Sequence, residues 1–165
     1  MEDSLILSEN FPESINLFMG DGIYMVQEKV DYDTINVLGE NQLRFLHIIN
    51  NSTEKFLNQT DYEMFFKYIN AIQSDKIKMD KDGFAILNLN QYPGITWENI
   101  KVKLNPKICF FWGVNPLVLG LEVPQFILTK TQDTQTVFLD DVNVTLNNKD
   151  SKLKLWGITK NIFEI

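Results

Sequence analysis

At 165 residues, 44% apolar and 22% charged, the chain can bury roughly 70% of its unfolded surface without disulfide or metal staples, and its composition excludes a disordered tail. Its 22 acidic against 15 basic residues give a net charge of −7, which opposes a phosphate backbone and disfavours direct nucleic-acid binding by the isolated domain. A lone Cys109 and a lone His47 exclude an internal disulfide and a multi-histidine metal site, so no metal or cofactor is expected.

In chain order, the first 30 residues or so read as a partly apolar arm on a single domain spanning 1–165. Leu5, Ile6, Leu7, Phe11, Ile15, Leu17 and Phe18 are interrupted by Pro12, which forbids one continuous helix. At most one helical turn is expected there, before the turn-like Gly20-Asp21-Gly22 and an extended piece at 23–26. Glu2 and Asp3 stand where a signal peptide carries basic charge, and no apolar run nears the length of a membrane span. A cytoplasmic protein without membrane contact is the expectation.

Residues 34–38 alternate, Gly39-Glu40-Asn41 supplies turn chemistry, and the apolar run 43–49 follows, so a hairpin into the sheet is expected. Thr60 stands three residues before Glu63 in capping-box spacing. Tyr62, Phe65, Phe66, Ile69 and Ile72 then recur at helical steps and predict an apolar stripe lying on a sheet. A polar turn at 79–83 leads into a strand at 84–89, and Thr96 opens a second helix with Ile100 and Leu104 inward and Pro106 just past its end.

Residues 107–114 are nearly all apolar, as a strand buried on both faces requires, and are the candidate centre of the sheet. Strands are expected at 126–131 and 136–139. A last helix from about Asp150 is expected to turn Leu153, Trp156, Ile158 and Phe163 to one side, with Lys149, Lys152, Lys154 and Lys160 solvated. Strands alternating with helices predict an α/β fold, a three-layer α/β/α domain with a mostly parallel central sheet of about five strands.

In such a sheet the functional crevice lies outside the carboxyl ends of the strands. Gly113-Val114-Asn115-Pro116 follows the central strand, where Asn115 can cap a short helix with Pro116 in its first turn and Gly120 at its end. Gly113 and Asn115, with Asn88 and Asp140 on neighbouring loops, are the candidate ligand-binding residues. The segment lacks a Gly-rich dinucleotide fingerprint and a Walker lysine. Within its apolar run His47 reads as a half-buried strand residue rather than a base, and Cys109 as a small core residue. Asp140-Asp141 reads as a loop turn or helix cap, because adjacent side chains on extended chain point apart. Trp97, Trp112 and Trp156 read as core. No catalytic residue is nominated.

From Thr60 onward, Thr60-Asp61-Tyr62-Glu63-Met64-Phe65-Phe66, the strand 84–90, Phe111-Trp112-Gly113-Val114-Asn115-Pro116 with Gly120-Leu121, and Lys152-Leu153-Lys154-Leu155-Trp156 before Ile162-Phe163 resemble small bacterial proteins related to the psi subunit of DNA polymerase III. The resemblance covers about two thirds of the chain and none of the first sixty residues. It implies a uracil-DNA-glycosylase-like fold without that activity, and no catalytic residue to carry over. It also implies a non-catalytic clamp-loader accessory role, in which the amino-terminal segment docks on partners.

Two functions follow as expectations. One is a non-catalytic protein-binding accessory subunit, of a DNA replication or repair assembly, with Phe11, Leu17 and Phe18 as anchors on a protein partner or a second copy. The other is a small-ligand or nucleotide-binding protein, or an enzyme, using the strand-end crevice. A third arrangement, in which the arm folds back over its own sheet, would leave the anchors buried internally.

Overall fold

The structure, a computed structural model, describes residues 34–72, 77 and 79–165, together with the backbone of three strands near the amino terminus. Those strands are β1 (Leu5–Leu7), β2 (Ser14–Met19) and β3 (Gly22–Gln27). They pair antiparallel in the order β1-β2-β3, with Leu17 opposite Ile6 and Tyr24, and Phe18 opposite Leu5 and Ile23. The segment is therefore a small sheet of its own, and not the irregular arm with a helical turn that Pro12 suggests. The alternation in β2 and the pairing of Met19 with Gly22 are the marks of a hairpin. Phe11, Pro12, Gly20 and Asp21 lie outside the described residues.

The run Ile108–Trp112 has no polar side to offer water, and it becomes the middle strand of a second, five-stranded sheet. The strands β4 (Phe45–Ile49), β5 (Phe84–Asn88), β6 (Ile108–Trp112), β7 (Thr129–Thr131) and β8 (Thr134–Leu139) lie in the order β5-β4-β6-β8-β7. All neighbours are parallel except β7, which runs antiparallel along β8. This is the α/β fold and the mostly parallel sheet that strand–helix alternation predicts. The strand expected at 126–131 is shorter than read. Phe126 takes φ +54 and bonds Phe138 through its amide at 2.8 Å, so regular pairing starts at Thr129.

Helices α1 (Gln59–Ile72), α2 (Trp97–Leu104), α3 (Val142–Asn147) and α4 (Lys149–Phe163) complete the body. The two faces of the sheet bury different helices. Phe45, Phe110 and Trp112 join Phe65 and Ile69 of α1, Leu146 of α3 and Leu155 of α4, whereas Leu46, Cys109 and Phe111 join Trp97 and Ile100 of α2. Phe110 and Trp112 are wholly or almost wholly buried, and truncating either to alanine should cost about 3–5 kcal/mol.

Three local expectations are corrected. Residues 34–38 do not form a hairpin with β4; Leu38 instead makes an antiparallel bridge to Ile86 on the outer edge of β5, at 3.0 and 2.8 Å. The cause lies in the turn: Gly39 at φ +100 and Asn41 and Arg44 at φ +56 lay residues 40–43 across the 81–84 turn. A side chain at Gly39 would run into the carbonyl of Phe84, so glycine is required there. Helix α1 starts before Thr60. Asn58 Oδ1 accepts from the amide of Asp61 at 2.9 Å and Asn58 Nδ2 donates to Asp61 at 2.8 Å, so the cap uses Asn58 and Asp61 while Glu63 takes a bond from Gln59. On α4, Leu153 is 60% exposed and Trp156 half-buried, and the helix buries Leu155 and Thr159.

Helix α2 follows expectation closely. Thr96 Oγ1 accepts from the Asn99 amide, Asn99 returns the bond, and Asn105 in the left-handed region closes the helix before Pro106. Helix α3 has no counterpart in the sequence reading, because Val142, Val144 and Thr145 are β-branched and favour extended chain. Asp141 stands at its N-cap position without a side-chain bond, and Thr145 Oγ1 donates back to the Asp140 carbonyl at 2.9 Å. No helix among the described residues is long and apolar enough to cross a membrane.

Candidate functional site

The parallel strands β4, β5 and β6 end on the same side, and a crevice opens where their loops diverge. Its floor is the turn after β6. Gly113 takes φ +63 and donates its amide to Leu139 at 3.0 Å, and a side chain there would overlap the carboxylate of Asp141. Asn115 Oδ1 accepts from the Leu117 amide at 3.0 Å, capping a 3-10 helix (Pro116–Leu119) that Gly120 ends at φ +75. Both the cap and the stop stand where the sequence places them. The tip of this helix exposes Leu117 and Val118.

Gly113 and Asn115 share a cavity of ≈ 650 Å³ with Asn50, Asn90, Ile95 and Thr96. Asn88 and Asp140 are not among its walls. Asn88 is fully buried and holds the 51–55 loop: its oxygen accepts from the amides of Asn51 and Asn90, and its nitrogen faces the carbonyls of Asn51, Glu54 and Lys55 at 2.8–3.2 Å. Asp140 accepts from Gln125 Nε2 at 2.5 Å. The four ligand candidates therefore divide into two wall residues and two structural ties.

A second concavity of ≈ 370 Å³ opens between the end of β4 and the start of α3, lined by Asn50, Asn58, Asp61, Trp112, Asp141 and Asn143 among others. The Oδ1 atom of Asp61 is buried there with no hydrogen-bond partner among the described residues. Sequence reasoning did not nominate these groups, because they come from loops far apart in the chain. Among the described residues no group of three or more His, Cys, Asp and Glu is placed to hold a metal ion.

His47 is fully buried rather than half-buried, since β4 is covered on both faces. Its Nδ1 accepts from Trp112 Nε1 at 3.0 Å, which makes the ring a neutral acceptor in a nest of Phe45, Phe65, Phe84 and Phe110. Burial holds its pKa well below the usual histidine value, and burial likewise pushes the Cys109 thiol up. A neutral enclosed imidazole and a protonated enclosed thiol have no route to a substrate. Both are core.

A third concavity, ≈ 590 Å³, lies between α1 and α4. Met64, Ala71, Leu153 and Trp156 supply its apolar surface, and Lys67, Lys149 and Lys152 stand around it with no carboxylate in the lining among the described residues. Its base is tied by a buried relay in which Tyr68 Oη donates to Thr159 Oγ1 at 2.8 Å and Thr159 donates to the Leu155 carbonyl at 2.8 Å. Burial raises the Tyr68 pKa above the ordinary tyrosine value, so this relay stays protonated. No protein-family model matches the chain, and no curated protein matches it as a relative.

Proposed function

We propose that this chain is a non-catalytic protein-binding accessory subunit, placed by its resemblance to psi-like proteins in a DNA replication or repair assembly, and that its amino-terminal segment makes the contact. The observation that carries this reading is the separate pairing of β1, β2 and β3, which leaves the five-stranded sheet complete without them. The outer edges of β1 and β3 have no strand partner among the described residues, and such edges accept another chain. Support comes also from the crevice, where Asn88 and Asp140 are committed to loop contacts. Leu17 and Phe18 in β2, with Phe11 before it, are the proposed anchors.

Affinity capture with the full chain and with a Leu17→Asp/Phe18→Asp variant, both checked for native circular dichroism, tests this. A stoichiometric complex formed by the parent and lost in the variant supports the reading, and equal capture by both overturns it. The ligand-binding alternative has its own supporting feature in the ≈ 650 Å³ cavity beside Gly113 and Asn115. Saturable binding of a nucleotide or small anion, weakened by Asn115→Ala, would favour that alternative.

A further inference from the structure

The neighbouring strands β4 and β6 send the chain to opposite faces of the sheet. After β4 it runs through Phe56 and Leu57 to α1, on the face packed by α1 and α4, whereas after β6 it runs through Val114, Leu119 and Leu121 on the α2 face. The two strands therefore flank the topological switch point, where an open α/β sheet leaves a cleft beyond its strand ends. Both strand-end concavities lie there. They share Asn50, and the adjacent residues Trp112 and Gly113 line one each. Neither lining contains a lysine or an arginine among the described residues. The smaller lobe instead holds two carboxylates with acceptor capacity left over. Asp61 accepts from Asn58 through Oδ2, while its Oδ1 is buried and has no donor among the described residues. Asp141 stands at the start of α3 without a side-chain cap bond, its carboxylate lodged against Gly113 in space that any side chain there would fill. A buried acceptor without a donor is rare in folded proteins and marks a place for a water, an ion or a ligand.

Independently of the protein-binding reading, we propose that this cleft binds a small organic ammonium ion, with its charged end between Asp61 and Asp141 and an apolar body in the larger lobe. Leu89, Ile95, Val118 and Leu119 give the larger lobe its apolar wall. The smaller lobe adds Trp112, an aromatic side chain of the kind that attracts organic cations, and its N–H already donates to His47 and brings no competing donor. Carboxylate oxygens, side-chain amides and an aromatic ring suit an ammonium group, which carries three donors and no acceptor. A metal ion is served less well, because among the described residues no third carboxylate, histidine or cysteine joins the two aspartates. A phosphate meets no opposite charge in either lining, so the ligand is of a different class from the nucleotide or anion of the alternative above. The chain's own cations are accounted for in turn. Lys55, on the loop beside the smaller lobe, lies over the Phe56 ring at 5.6 Å. Lys76 and Lys78 follow the far end of α1, which is roughly 16 Å along the helix axis from Asp61. Lys29 is the one lysine or arginine of residues 1–33, and it enters the test below.

Isothermal titration of the full chain with phenethylamine tests this, beside methylamine, which keeps only the charged end, and phenylacetate, which keeps the body and reverses the charge. Phenethylamine is expected to bind saturably at one site, methylamine about tenfold or more weakly, and phenylacetate not measurably. Asp61→Asn and Asp141→Asn preserve side-chain shape and should each weaken phenethylamine by about tenfold. Asp141 makes no cap bond, so Asp141→Asn is expected to keep the parent's circular dichroism and carries the test should Asp61→Asn misfold. Undiminished affinity in Asp141→Asn overturns the site, and equal binding of phenylacetate overturns its charge. Stoichiometric binding of calcium chloride without binding of phenethylamine overturns the organic assignment in favour of a metal. A parent that binds none of these overturns the proposal and leaves water as the donor to Asp61. Binding of phenethylamine that appears only in Lys29→Gln overturns it too, because the chain's own ammonium group then fills the lobe. None of these outcomes bears on partner capture through Leu17 and Phe18, so the two readings fail separately.

Discussion

The strand-end crevice and the α1–α4 groove are similar in volume, ≈ 650 and ≈ 590 Å³, but their polar groups are employed differently. Around the crevice, Asn88 ties down the 51–55 loop, Asn115 caps a 3-10 helix and Asp140 accepts from Gln125. Around the groove, Lys67, Lys149 and Lys152 are exposed and form no ion pair among the described residues. The first surface is held in shape by its own side chains; the second leaves charge available to something outside the body. A polar residue at the classical end of an α/β sheet is thus no sign of a ligand until its hydrogen bonds have been traced.

The sharpest way to break this contrast is Asn88→Ala. The carbonyls of Asn51 and Glu54 and the amides of Asn51 and Asn90 lose this partner, while Lys55 keeps a bond from Gln91 Nε2, so the variant should be less stable by about 3 kcal/mol, measured by urea unfolding. A loss under about 1 kcal/mol would mean that the Asn88 amide is dispensable to the loop and open to another role.

Burial of neutral His47 predicts a pH dependence of stability. Its folded-state pKa lies below its unfolded value, so above about pH 6.5 both states are neutral and the full stability is present. As pH falls below 6.5 the unfolded chain takes up a proton that the folded chain refuses, and stability drops by up to about 1.4 kcal/mol per pH unit until the folded-state pKa is reached. His47→Leu should be weaker near neutral pH, because Trp112 Nε1 loses its acceptor, but should lack this component of the slope, so that the gap between the two proteins narrows as pH falls. Identical slopes between pH 6.5 and 5 in the two proteins would show that His47 is not held neutral.

At the base of the groove, Tyr68→Phe removes the hydroxyl that reaches Thr159 and leaves Thr159 bonded to Leu155. A loss of about 1 kcal/mol is expected in thermal or urea unfolding, the ordinary net worth of one buried hydrogen bond. An unchanged stability would mean that apolar packing alone holds α1 to α4.

The same contrast separates what was legible in the sequence from what was not. The unbroken apolar run at β6, the Thr96 start of α2 and the Asn115-Pro116 to Gly120 turn were readable because each is a local pattern with a local cause. The start of α1 was misplaced because two residue pairs, Asn58 with Asp61 and Thr60 with Glu63, both satisfy cap spacing, and Asn58 provides the bonds that cap the helix. β2 and β3 carried hairpin marks that Pro12 overshadowed. Neither the tie of Asn88 to a loop more than thirty residues away nor the meeting of α1 with α4 leaves a mark within a window of sequence. Fold was therefore read well from local signals, while a concave surface made by distant segments was not.

The smallest expected effect has an unusual sign. Lys149 occupies the first position of α4, where Asn148 caps the amides of Asp150 and Ser151 at 3.0 Å and the helix presents its positive end. A cation there is unfavourable, so Lys149→Glu should raise stability by about 0.5 kcal/mol at low ionic strength, with the gain fading as salt screens it. Most surface substitutions are neutral or mildly destabilising, which makes a salt-dependent gain diagnostic. Urea unfolding at two salt concentrations measures it. A gain would mean that Lys149 is kept at a cost to the helix, its ammonium group unused by the fold. A loss of stability would instead mean that the ammonium group supports the fold, and the groove would then resemble the crevice, with its charge already in use.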